Sequence, residues 1–195
     1  MNYNQWQYFQ DFKSRFYNQI QKWLLYSQKL DLPKLQQQAA ILDKVPPYSI
    51  ENPIVYNTAL EDISQQSDIR LIVIADNPGK EEQLNKNQKY LVGLAGKIAS
   101  GYFQKNPQLN IDFRKNTIIL NKTPIHSAKT KELNKIIQLA PQNHKKEIQD
   151  LITESQIWMA QETAKLHQIF FPSDCQLWLV GYSEFFAIGQ SAWAG

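Results

Sequence analysis

The chain has 195 residues, 43% of them hydrophobic and 12% aromatic, enough to bury one sizeable core and too few for two ordinary domains. No apolar run approaches the roughly 20 residues that span a bilayer, and the N-terminus lacks the basic, apolar and small-residue succession of an export signal. One cysteine excludes a disulfide framework and fits a reducing cytosol, so a cytoplasmic, non-membrane protein is expected, its net charge only +3.

Phe9, Phe12, Phe16, Ile20, Trp23 and Leu24 recur at spacings of three and four, the pattern of a long amphipathic helix with an aromatic stripe. Pro33 closes that neighbourhood, and residues 35 to 42 predict a shorter helix, giving a helical segment over 1–45. Pro46, Pro47 and Pro53 mark an irregular loop reaching Asn57.

Leu71-Ile72-Val73-Ile74-Ala75 is an apolar run of strand length that stops at Asp76-Asn77-Pro78-Gly79. In open α/β folds ligands bind at the C-terminal ends of strands, and Pro78 stops this strand from continuing as a central one. Gly79 permits a sharp turn or a close approach to a ligand. Asp76 and Asn77 are not needed to make the turn, so they are the first candidates for chemistry.

Lys89 to Ala99 then sets Gly93 and Gly96 at the opening of an amphipathic helix running toward Phe103, where small residues let the backbone approach something flat or anionic. Residues 116 to 121 repeat the earlier grammar, a short β-branched strand ending in Asn121, with Pro124 soon after. Two strands delivering Asn77 and Asn121 to one sheet edge predict a pocket for a planar polar ring. Pro141 precedes a helix through about residue 171, carrying Ile148, Leu151, Ile152, Ser155, Trp158 and Met159 on one side. A last apolar strand follows over 176–181, then a short helix over 183–189. Helices followed by strand–helix units favour a parallel sheet covered on both faces.

These motifs resemble the uracil-DNA glycosylase superfamily. Its first motif reads G-E-A-P-G in one branch and G-I-N-P-G or G-M-N-P-G in others, where this chain has Ala75-Asp76-Asn77-Pro78-Gly79 followed by Lys80, Glu81 and Glu82. The family's phenylalanine-valine-glycine-x-alanine-glycine loop corresponds to Leu91-Val92-Gly93-Leu94-Ala95-Gly96, and its later asparagine-ended strand to the one ending at Asn121. The resemblance covers roughly residues 69 to 126 well and the final strand weakly. It implies a single domain over 1–195, a three-layer α/β/α fold with a central, mostly parallel sheet. Four-cysteine iron–sulfur branches are excluded, since Cys175 stands alone. The resemblance further implies a monomer acting on DNA with no cofactor and no metal, removing uracil or a related base. Asp76 or Asn77 would position water, and Asn121 would read the base edge. Pro78, Gly79, Leu91 and Tyr90 would surround the base, Tyr90 taking over stacking where the family's phenylalanine is Leu91. The family's histidine-proline-serine loop has no counterpart. The chain therefore reads either as a form shortened at its C-terminus or as a diverged member that lost the histidine, with His126 the residue able to reach the site. His144 and His167 read as solvated helix residues.

Charge placement supports a nucleic-acid partner. Residues 80 to 146 hold 13 Lys/Arg against four Asp/Glu, while the flanking segments sum to −1 and −5. Lys80, Lys86, Lys89, Lys97, Lys122, Lys129, Lys131 and Lys135, with Gly93 and Gly96, make a candidate phosphate-facing surface. The alternative is a catalytically impaired α/β module that binds nucleic acid or a nucleotide through the same loops, and a small-molecule-binding domain with solvated lysines is a third.

Overall fold

The computed structural model describes residues 1–180, so the helix expected over 183–189 lies outside the described residues. Within them the chain forms a three-layer α/β/α arrangement around a parallel sheet. The sheet consists of β1 (Leu71–Ala75), β2 (Thr117–Asn121) and β3 (Gln176–Leu179), in the order β2-β1-β3. Every residue of β1 and β2 is buried, as expected of strands covered on both faces. The register pairs Ala75 with Asn121, so both strands stop at one sheet edge and release their polar residues side by side. Lys122 N–H extends the pairing to the Ala75 carbonyl at 2.8 Å.

Helix α1 (Tyr3–Lys29) starts at a capping box between Asn2 and Gln5, which satisfies backbone N–H groups that the first turn leaves unpaired. Its buried stripe of Phe9, Phe12, Phe16, Ile20 and Trp23 packs against α5 (Lys145–Phe170). The Phe16 and Trp158 rings stack at 5.6 Å, and Trp23 meets Trp158 edge-on at 5.6 Å. Helix α2 (Leu32–Leu42) carries Pro33 in its first turn, where the missing N–H costs nothing, so Pro33 begins this helix rather than closing the preceding one. Opposite it lies α4 (Glu132–Leu139), an amphipathic helix in a segment for which the sequence pattern predicts no element.

On the other sheet face α3 (Leu94–Lys105) sets Phe103 against Trp178 of β3 and Phe113, with ring centroids 5.4 and 5.6 Å apart. The segment after β2 folds back along the 53–55 loop, through an Ile54–Ile125 bridge and hydrogen bonds from Val55 N–H to Pro124 and from His126 N–H to Pro53. That return brings residues 126–129 against the turn after β1. None of the described helices is long and apolar enough to cross a membrane.

Candidate functional site

A groove of about 800 Å³ opens at the C-terminal end of β1, between the 76–82 turn and α3. Asp76, Asn77, Gly79, Lys80, Leu91 and Gly93 from the expected set line it. Its far wall is apolar, built from Leu94, Ile98, Tyr102, Phe103 and Trp178.

Asn77 is half-buried, and its amide nitrogen is fully used. Nδ2 donates to Ser127 Oγ at 2.9 Å and lies 3.3 Å from the carbonyl oxygens of Ser127 and Pro78. Asp76 accepts from Lys122 Nζ at 2.5 Å, and the side chains are only 13% and 7% exposed. Lys122 is therefore not a phosphate contact. Leaving the strand end inward, it spends its charge on the carboxylate beside it. Asn121, paired in register with Ala75, is wholly buried and is not part of the groove lining, and neither its Oδ1 nor its Nδ2 has a hydrogen-bond partner. A buried amide left unpaired on both atoms costs on the order of 1–3 kcal/mol per group, and such a group in a native protein demands an explanation.

The turn itself is clamped from two sides. His126, expected to reach a ligand, is instead fully buried and serves the backbone: Nδ1–H donates to the Pro78 carbonyl at 2.8 Å, and Nε2 accepts from the Tyr48 hydroxyl at 2.9 Å. Burial pushes the Tyr48 phenol up to about 12, which keeps it a donor, and pushes the imidazole down to about 4, which keeps it neutral. From the other side Glu82 accepts the Gly79 N–H at 3.0 Å and the backbone of Leu91 and Val92. Burial raises the Glu82 pKa against those bonds. The Gly79 N–H is thus committed within the protein and is not open to a departing anion. A Cβ at Gly79 would meet open space, so the fold itself does not require glycine there.

Leu91 forms the groove wall with a left-handed backbone, φ 54°, a conformation that costs a non-glycine residue on the order of 1–3 kcal/mol. Arg114 holds it there through both the Tyr90 and Leu91 carbonyls, and Gly96 presses against that same Leu91 carbonyl. Tyr90, expected to stack on a base, is instead 0% exposed, with its hydroxyl bonded to the Val55 carbonyl at 2.6 Å.

Among the expected phosphate contacts, Lys80 is exposed at the groove with its ammonium 5.7 Å from the Tyr48 ring, and Lys97 is exposed on α3. Lys89 pairs with Asp62 at 2.7 Å, Lys129 donates to the Asp43 carbonyl, and Lys131 and Lys135 pair with the Asp43 carboxylate. The basic excess is therefore partly spent on local anchoring. His144 pairs with Glu147 and His167 lies against the Cys175 carbonyl, so both are anchored surface residues of α5 and its cap. Sequence reasoning missed Glu82, Ser127 and Tyr48. Only Glu82 carried a usable signal, an acidic side chain three residues past the turn glycine. Among the described residues no group of three or more His, Cys, Asp and Glu gathers as a metal site.

No protein family, curated protein or solved structure matches this chain. The functional reading therefore rests on the groove and the residues around it.

The neutral His126 makes a pH prediction. Its folded pKa lies below the unfolded value of about 6.5, so its contribution is fully present above that pH and is lost as pH falls through about 4. Wild-type stability is expected to fall by about 3 kcal/mol from this source between pH 7 and 4. His126→Asn keeps an amide donor for Pro78 and lacks the titration. The difference between the two proteins in urea melts across that range isolates the imidazole from Glu82 and Glu132, whose raised pKa values act in the opposite sense. A constant difference across the range refutes the assignment.

Proposed function

We propose that the protein is a DNA glycosylase that removes uracil, or a related damaged base, by hydrolysing the N-glycosidic bond in base excision repair. The observation that carries this reading is the polar pair that ends β1 at the groove. Asp76 and Asn77 both line the groove there, beside the exposed Lys80. With its Nδ2 spent on Ser127, the Asn77 carboxamide has Oδ1 left as an acceptor for a water molecule beside a bound base.

The target nucleotide is unstacked and flipped into the groove, because its glycosidic bond is out of reach inside a duplex. Lys80 and Lys97 contact flanking phosphates and offset part of the extrusion cost. Asn77 orients the attacking water, and Asp76 lends negative potential to the sugar as it turns cation-like. The acting unit is a monomer in the cytoplasm, and DNA is its partner.

The test is uracil release from a single-stranded oligonucleotide by wild type, Asp76→Ala and Asn77→Ala. Release by wild type, reduced at least about 100-fold by Asn77→Ala, is the expected result. Equal release from all three, or none from any, removes the enzymatic reading. The tie between Asp76 and Lys122 favours a second reading, a module of the same shape that binds nucleic acid without cleaving it. Its mark is salt-sensitive oligonucleotide binding with no free base.

A further inference from the structure

We propose that Ser127 is a positioning residue for Asn77, turning its carboxamide so that Oδ1 alone faces the groove. Amide nitrogen and oxygen have nearly the same shape, so only their partners decide which of them a ligand meets. Around Asn77 those partners all ask for the same answer. The Ser127 hydroxyl donates its one proton to the Lys129 carbonyl at 2.9 Å, which leaves Oγ as an acceptor toward Asn77. The Ser127 and Pro78 carbonyls, each 3.3 Å from Nδ2, accept only. Reversing the amide places Oδ1 against three oxygens with no proton between them.

The orientation is built in from outside the groove. Ser127 N–H bonds the Pro78 carbonyl at 3.2 Å, next to the His126 bond to the same oxygen, so the 126–129 loop is tied to the 77–79 turn at two points. The hydroxyl of Ser127 is thereby fixed in place before any ligand arrives. What the groove receives is a hydrogen-bond acceptor on a rigid mount, suited to an O–H or N–H donor such as a water molecule. That the donor is the attacking water rests on the glycosylase reading; the amide's orientation does not.

The test reads the two apart. The Asn77 side-chain NH₂ signals are identified in a ¹⁵N-correlated spectrum by their absence in Asn77→Ala, and their exchange with solvent is measured. Expected are exchange at least about tenfold slower than for exposed Asn18, about tenfold acceleration in Ser127→Ala, and near wild-type protection in Ser127→Thr, which keeps the hydroxyl. Asn77 exchange matching Asn18 in wild type, or unaltered by Ser127→Ala, overturns the proposal. Should Ser127→Ala not fold, the wild-type comparison with Asn18 and the Ser127→Thr spectrum still decide it. In uracil release, Ser127→Ala is expected to lower kcat about tenfold with KM unchanged, and Ser127→Thr to restore it. An active wild type whose kcat is untouched by Ser127→Ala also overturns the role. A wild type that releases no uracil refutes the glycosylase reading, while the exchange data still judge Ser127.

Discussion

Gly96→Ala is expected to lower the unfolding free energy by more than about 4 kcal/mol, a size reached only by a few mechanisms, overpacking among them. A Cβ added there would sit 1.4 Å from the Leu91 carbonyl oxygen and 2.2 Å from its carbon. The obstacle is backbone, so rotating a side chain gives no relief. Leu91 has little freedom to retreat, because Arg114 grips its carbonyl and Glu82 grips the backbone on its other side. Moving it means giving up those bonds, and with them the groove wall. Gly101→Ala in the same helix is the control, since a Cβ there meets open space. It should stabilise by about 0.5–1 kcal/mol, the ordinary gain of alanine over glycine inside a helix. Urea denaturation of both variants measures the contrast. Similar midpoints for the two would show that α3 does not press on Leu91 as described.

That contrast shows how far the sequence could be read. The sequence predicts a close approach at the glycines at 93 and 96; a Cβ at Gly93 would meet nothing within 4 Å, and Gly96 alone marks the approach. Its object is the chain's own Leu91 carbonyl, which no local pattern reveals. The strands over 71–75 and 117–121 were legible because apolar runs of that length, stopped by Asx and proline, have few other uses. Helix α4 was not, because its eight residues are too few for the apolar spacing of Leu133 and Ile136 to stand out among the surrounding lysines. The position of Asp76 and Asn77 at the sheet edge followed from strand grammar. The partners of these residues did not. Lys122, Ser127 and His126 lie 46 to 50 residues away in sequence from the groups they hold, and Tyr48 lies 78 from His126. A residue's charge is visible in its letter, but its burial is set by contacts at such distances. Lys122 thus read as one more phosphate contact and proved to be a buried counter-ion. Tyr90 read as a stacking ring and proved to be core.

Lys122→Met is expected to cost about 3–5 kcal/mol, the range for removing one partner of a buried ion pair. The two side chains are 7% and 13% exposed at a separation of 2.5 Å, so solvent screens them little. Once Lys122 is gone, the Asp76 carboxylate loses the ammonium that sits 2.5 Å from it. Asp76→Leu combined with Lys122→Met takes both charges out of the strand end. Buried pairs replaced by apolar side chains of similar volume are often neutral or stabilising, so the double variant should recover most of the loss. Urea melts of the two single variants and the double complete the cycle, and a coupling of at least about 1.5 kcal/mol is expected. Base release by each variant, normalised to its folded fraction, then separates the roles of the two neighbours in the turn. If Asp76 acts chiefly as a strut for Lys122, the double variant regains stability and keeps much of the wild-type release, whereas Asn77→Ala stays inactive. If the carboxylate stabilises a cationic sugar, the double variant folds and releases nothing. A coupling near zero would mean that the pair is an incidental contact, and the carboxylate would then stand beside Asn77 as a second acceptor in the groove.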